Sequence, residues 1–172
     1  MTAKKNIPFV VRRSAIQGLG AVATRDLKKG TKIIEYQGER ITDDEAQERY
    51  NDESMKRHHT FLFDLDGEWC IDGNVNGNEA RFINHSCASN CEALTDGKRV
   101  FIHARKNIKK GEELLYDYGY RMDISERMAK REYPCHCGSE KCRGTIVFLP
   151  KKRRSVKKRP AKKTSKKKIA RT

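Results

Sequence analysis

"RFINHSCASNC", residues Arg81 to Cys91, sets two thiols, an imidazole, two amides and two hydroxyls among only a few apolar side chains. Tight bends explain the Asn and Ser residues, whose side chains bond their own backbone in turns. They explain neither His85 nor the two cysteines. The N-terminus, "MTAKKNIPFVVRRS", lacks a signal-peptide apolar core and a small-residue cleavage site. A chain kept in a reducing compartment is expected to use its six cysteines as metal ligands rather than as a disulfide framework.

A second cysteine-rich stretch, "CHCGSEKC", supplies Cys135, Cys137 and Cys142 in a C-x-C-x4-C spacing. Zinc takes four tetrahedral ligands, and structural sites favour thiolates. Three thiols this close in sequence can wrap one ion, so the fourth ligand must come from elsewhere. Cys70 alternates with Trp69 and Ile71 in a strand-like run, which predicts core packing. His136 lies between two ligands and is expected to point away. Cys87 and Cys91 remain as candidates.

Strand signals dominate the rest of the chain. "PFVVRRS" reads as an opening strand, "GLGAVATRDLKKG" as a glycine-rich bend leading to a strand and turn, and "TKIIEYQGE" as a further strand. Thr42 followed by Glu45 in "TDDEAQERYNDESMKR" is a capping box that starts a polar helix. "TFLFDLDGEWCID" and "CEALTDGKRVFIHA" read as hairpins with Asp-Gly at their tips. Between them, Ala80, Phe82 and Ile83 have a short helix-like spacing. No long amphipathic helix is present, which predicts a mostly β domain of short strands. "ATRDLKKGTKIIEYQG" and "HARKNIKKGEELLYDYG" echo each other, and the echo suggests pseudo-symmetric halves around one core.

"RFINHSC", "GEELLYDYGY" and "CHCGSEKCRG", in that order, together resemble the SET-domain protein-lysine methyltransferases, from about Pro8 to Thr145. The resemblance extends to the short cysteine-rich segment that follows the domain in trithorax-like relatives. It implies a mostly β SET-domain fold of short-stranded sheets with a knot-like crossing, a short inserted helix and a small zinc-bound C-terminal segment. Its expected divisions are an N-terminal extension (1–7), the SET domain (8–120), the post-SET zinc segment (121–149) and a basic tail (150–172). It also implies that Cys87 completes the zinc site with Cys135, Cys137 and Cys142.

The implied activity is S-adenosylmethionine-dependent N-methylation of a protein lysine, with a single methyl favoured. Gly18, Leu19 and Gly20 match the family's cofactor-binding bend, and Asn84 and His85 match positions beside the cofactor. Tyr118 matches the catalytic tyrosine. Tyr116 matches a position that is phenylalanine or tyrosine across relatives, where tyrosine leaves less room and favours monomethylation. Phe61 falls where many relatives place a tyrosine lining the cofactor and lysine channel, and phenylalanine also occurs there in enhancer-of-zeste-like members. Tyr50 is a further candidate for cofactor contact. The competing reading is a non-catalytic zinc module held on nucleic acid by its tail. The set of Tyr118, Asn84, His85 and both glycines favours the enzyme.

Charge divides the chain sharply. Residues 150–172 carry 13 Lys or Arg and no acid, whereas the remainder carries 25 against all 23 acids. The tail supplies +13 of the chain's +15. It is expected to be disordered and to act as an arm for nucleic acid, because Lys and Arg neutralise phosphates and release counterions. No apolar run is long enough to span a membrane. The expected partners are a histone or histone-like (nucleoid) protein presenting a lysine and, through the tail, nucleic acid. The expected state is an intracellular monomer, in the cytoplasm or nucleoid if bacterial, or in the nucleus if eukaryotic or delivered to a host.

Overall fold

The computed structural model describes residues 7–50, 61–65 and 67–149. The basic tail, most of the N-terminal extension and the second half of the expected polar helix lie outside these residues. Strands β1 (Phe9–Arg13) and β2 (Leu19–Ala23) form an antiparallel pair. β3 (Lys32–Tyr36) leads through β4 (Glu39–Thr42) to helix α1 (Asp43–Arg49). β5 (Leu62–Asp64) and β6 (Trp69–Asp72) form the first expected hairpin, and β4 pairs with β6 to give a three-stranded sheet. A 3-10 turn, Glu79–Phe82, precedes the two-residue β7 (Asn84–His85). β8 (Cys91–Asp96) and β9 (Arg99–Ala104) form the second hairpin, and β3 joins it to make the sheet β3-β9-β8. β10 (Leu115–Tyr116) pairs with β7, and helix α2 (Glu126–Glu132) follows.

Short-range chemistry sets the ends of α1. Glu45 N–H donates to Thr42 Oγ1 at 3.2 Å, and Thr42 N–H donates to Glu45 Oε2 at 2.8 Å. The reciprocal pair satisfies two otherwise orphaned donors and is worth about 1 kcal/mol. α2 was not legible in the sequence. Its cap is Ser125, whose Oγ accepts from Met128 N–H at 3.3 Å, but no Glu or Gln stands at the third position to mark a capping box. The helix owes its position to tertiary contact: Ala129 is fully buried, and Thr145 Oγ1 donates to its carbonyl at 3.0 Å.

The core lies between the β3-β9-β8 sheet and the segments that wrap it. Ile83, Ile102, Ile108 and Leu114 are at most 1% exposed, each stabilising the fold by about 1.5–3 kcal/mol. The sequence echo is a structural pseudo-twofold. Leu27 and Ile108 exchange backbone bonds at 2.8 and 2.9 Å. Gly30 N–H donates to Ala104 O at 2.7 Å, and the equivalent Gly111 N–H donates to Ala23 O at 2.8 Å. Lys29 N–H is taken by Asn107 Oδ1 and Lys110 N–H by Asp26 Oδ1, each at 2.9 Å. Each turn is therefore closed by the other, with Gly30 and Gly111 supplying the positive φ (+85° and +91°) both require.

Candidate functional site

Three segments distant in sequence meet at the β1–β2 bend. Gly18 adopts φ +49°, and Ser14 N–H closes the bend on its carbonyl at 3.0 Å. Asn84, 8% exposed, turns its amide onto the bend, and Nδ2 lies 2.9 Å from Leu19 O and 3.2 Å from Gln17 O. The same nitrogen lies 3.0 Å from Glu113 Oε1, and the Glu113 carboxylate accepts from Ser14 Oγ at 2.8 Å. A Cβ on Gly20 would stand 2.2 Å from that Oε1, so any side chain there would displace the carboxylate. Asn84, Glu113 and Ser14 thus lock the shape of the bend from three separate segments.

β7 lies parallel to β10, with Asn84 opposite Leu115 and His85 opposite Tyr116. Asn90 stitches the same junction: its Nδ2 donates to Glu113 O and its Oδ1 accepts from Leu115 N–H, both at 2.8 Å. Turn chemistry was the expected use of this asparagine, and the structure uses it across the chain instead. The buried His85 accepts Tyr118 N–H at Nδ1, 3.2 Å away. The ring proton therefore sits on Nε2, which faces Cys87 Sγ at 3.5 Å. Burial, aided by the Arg143 charge, outweighs nearby Asp117 and pushes His85 down to about 4, so the imidazole is neutral at ordinary pH.

Tyr118 packs its ring against His85 (centroids 5.2 Å) and Tyr116 (4.8 Å). The residue is 36% exposed, while its hydroxyl turns inward to donate to Ile83 O at 3.3 Å. Burial raises the ionisation range of both tyrosines, keeping the hydroxyls protonated. The aromatic series continues from Tyr116 to Phe63 (6.3 Å) and from Phe63 to Tyr36 (5.4 Å). A surface recess of about 260 Å³ lies against Tyr118, Asp117 and Phe63, with Arg105, Glu92 and Ser89 on its other wall.

Phe61 and Tyr50, also expected at the site, pack in other surroundings. Phe61 packs edge-on against Phe82 at 6.0 Å beneath the Arg81 guanidinium, and its carbonyl accepts from Tyr36 Oη at 2.6 Å. Tyr50 donates its hydroxyl to the fully buried Asp72 at 2.7 Å, beside Arg49 and Asn74. Glu113, Phe63, Tyr36 and Ser14 were not singled out from sequence. Glu113 lay inside a motif, but its partners are far away in the chain. Phe63 was two residues from Phe61 on the same strand face, with no local sign of which ring meets Tyr116.

Cys87, Cys135, Cys137 and Cys142 bring their sulfurs within 4.8 Å of one another, and Cys87 Sγ lies 3.8 Å from Cys135 Sγ. Tetrahedral zinc with Zn–S near 2.3 Å needs sulfurs about 3.8 Å apart, so the four could hold such an ion. Cys91 is 1% exposed in the core, and burial pushes its thiol up to about 12. Cys70 is buried in β6 and His136 is exposed. Burial opposes ionisation of Cys137, but bonds from Ser139 and the neighbouring thiols outweigh it and bring it down to about 5. Cys87 and Cys135 are pushed up, chiefly by burial. Crowded thiols that resist joint ionisation are a donor set a divalent cation would relieve.

Residues 18–119 match the family described as the SET domain. The chain is 40% identical over 146 residues to Histone-lysine N-methyltransferase 2D of Homo sapiens, covering 83% of this chain and 2% of the relative. It is 41% identical over 135 residues to Histone-lysine N-methyltransferase trr of Drosophila melanogaster, covering 76% and 5%. Against Histone-lysine N-methyltransferase, H3 lysine-4 specific, of Chaetomium globosum, the identity is 36% over 149 residues, covering 83% and 14%. The chain thus spans a small part of the length of each of these relatives.

Proposed function

The chain belongs to the SET domain family, and from that premise we propose that it is a protein-lysine N-methyltransferase that uses S-adenosylmethionine. The observation that carries this reading is the meeting of the Gly18–Gly20 bend, Asn84 and the inward-turned Tyr118 hydroxyl at one junction. S-adenosylmethionine, when bound, supplies an electrophilic methyl group on a sulfonium. Gly18, Leu19, Gly20, Asn84 and His85 would hold it, with Phe61 and Tyr50 on the flank. Tyr118 contributes one protonated oxygen beside the reacting centre, held by the Ile83 carbonyl. The rings of Tyr116, Phe63 and Tyr118 exclude water and disfavour an ammonium, so the target lysine arrives neutral. Tyr116, 7% exposed and packed against the Phe63 and Tyr118 rings, supports transfer of a single methyl.

The names of the relatives support a histone or histone-like protein as substrate and a nuclear, chromatin-associated location. The four-sulfur cluster supports a structural zinc held by Cys87, Cys135, Cys137 and Cys142. We assign residues 150–172 a role as an electrostatic arm for nucleic acid, on their charge alone, and take the chain to act as a monomer. Incubation with labelled S-adenosylmethionine and histone peptides tests the activity. Tyr118→Phe should lose most turnover while keeping cofactor affinity, because the lost oxygen acts chiefly in the transition state. Undiminished turnover would remove Tyr118 from the chemistry. Deleting residues 151–172 should spare peptide methylation and weaken DNA binding; with six phosphates engaged, intact-chain affinity falls roughly a thousandfold between 50 and 200 mM salt. Equal, salt-insensitive gel shifts from both chains would refute the arm.

A further inference from the structure

Asp117 stands between the two site tyrosines, and neither the motif reading nor the proposed chemistry uses it. The rings of Tyr116 and Tyr118 lie together, and the Asp117 carboxylate shares the rim of the recess with Tyr118, its Oδ1 3.6 Å from His85 Nδ1. There the Arg143 guanidinium meets it with both ends of its fork: Nη1 donates to Oδ2 at 2.5 Å and Nη2 to Oδ1 at 2.9 Å. The two side chains are 25% and 34% exposed. A bidentate pair of this kind fixes direction as well as distance.

Arg143 is anchored at the cysteine cluster. It follows Cys142 directly, and its own backbone N–H donates to Cys87 Sγ at 3.4 Å. A second route runs from the same sulfur: Cys87 Sγ faces His85 Nε2 at 3.5 Å, and His85 Nδ1 accepts Tyr118 N–H at 3.2 Å. Cys87, His85, the Asp117–Tyr118 backbone and Arg143 therefore close a ring of contacts. β10 ends at Tyr116; beyond it this ring of contacts holds Asp117 and Tyr118, with Gly119 N–H also donating to Asp117 Oδ1 at 3.2 Å and Tyr120 bridged to Val147.

We infer that Arg143 is a positioning residue for Tyr118: through Asp117 it registers the tyrosine hydroxyl against the cysteine cluster, the hydroxyl itself bonding Ile83 O at 3.3 Å. The inference rests on the methyltransferase reading for its kinetic consequence. Misplacing a reacting group by about 1 Å costs up to a hundredfold in rate. A plain staple for the C-terminal segment would instead lower stability and metal content, and would raise KM.

The test uses the full chain with Arg143→Gln, Arg143→Lys, Asp117→Asn and the Arg143→Gln/Asp117→Asn double variant. Zinc content, KM for cofactor and peptide, kcat and the amide resonance of Tyr118 are measured for each. Zinc should stay near one per chain and both KM values within about threefold, while kcat falls about tenfold or more in Arg143→Gln and Asp117→Asn. The double variant should be no worse than either single, because both break one pair. Arg143→Lys should be intermediate, with charge but no fork. The Tyr118 amide resonance should move in every variant. If Arg143→Gln fails to fold, Asp117→Asn, nearly isosteric and outside the cysteine loop, decides the matter. Unchanged kcat, a rise in KM without a fall in kcat, or an unmoved Tyr118 resonance would overturn the role. Wild type that methylates no histone peptide would count against the methyltransferase reading, and the resonance would still decide whether Arg143 holds Tyr118.

Discussion

Gly20→Ala probes the bend most directly, because the structure sets its cost by space and not by conformation. Gly20 has no positive φ, so alanine is allowed there by backbone geometry. Its methyl would stand 2.2 Å from Glu113 Oε1, and ordinary contact begins near 3.4 Å, so the carboxylate must retreat by about 1.2 Å. That retreat stretches the bonds from Ser14 Oγ (2.8 Å) and Asn84 Nδ2 (3.0 Å) beyond useful length. Bonds to a charged group are worth about 1.5–3 kcal/mol each. Asn84 keeps Leu19 O and Gln17 O, and the displaced carboxylate regains water. The net loss is about 2–3 kcal/mol, or about 5–10 °C in Tm for a domain of this size. Thermal melts of Gly20→Ala, Glu113→Ala and the double variant measure it. With Glu113 trimmed, the nearest remaining contact is Ser14 Cβ at 3.0 Å, which a small shift relieves, so the double variant should recover about 1–2 kcal/mol relative to additivity. Gly18→Ala is the control: its methyl meets open space but its φ is +49°, so it should cost about 1 kcal/mol with or without Glu113. A Gly20→Ala cost that is the same in both Glu113 backgrounds would refute the steric argument.

Cys87→Ser should lose bound zinc, read by metal analysis of the purified chain, whereas Cys91→Ser should keep it and lose core stability only; zinc retained in the first and lost in the second would exchange their roles. Tyr116→Phe should move the product from mono- toward di- and trimethyl-lysine in peptide mass spectra, and unchanged ratios would pass control of channel size to Phe61 or Phe63. Burial raises the Tyr118 ionisation range, so the hydroxyl stays protonated and the rate should climb from pH 7 to 9.5 as substrate lysine, near pKa 10.4 when free, loses its proton. A fall in rate within that window, with circular dichroism unchanged, would contradict a protonated Tyr118.

The sequence by itself determined the parts of this protein that depend on neighbours in the chain. The Thr42–Glu45 box, the Asp-Gly hairpin tips and the strand runs through Ile33, Ile71 and Ile102 follow from local hydrogen bonding and side-chain alternation. The C-x-C-x4-C spacing suffices to bring three thiols together, and the resemblance carried by three short motifs named Cys87, Asn84, His85 and Tyr118 ahead of any geometry. The near-repeat of two turns was visible too, but its meaning was not: reciprocal bonds such as Gly30 to Ala104 and Gly111 to Ala23 exist only once the halves face each other. α2 was missed for the same reason, since its stability comes from Ala129 and Thr145 meeting across a loop. Only the tertiary structure chose Cys87 over Cys91 by position, placing one sulfur among three others and the other in the core. It also put Glu113 under Gly20, Phe63 beside Tyr116, and Arg143 on Asp117. Each of these contacts joins residues brought together by packing, and single-residue chemistry carries no record of which distant partner it will meet.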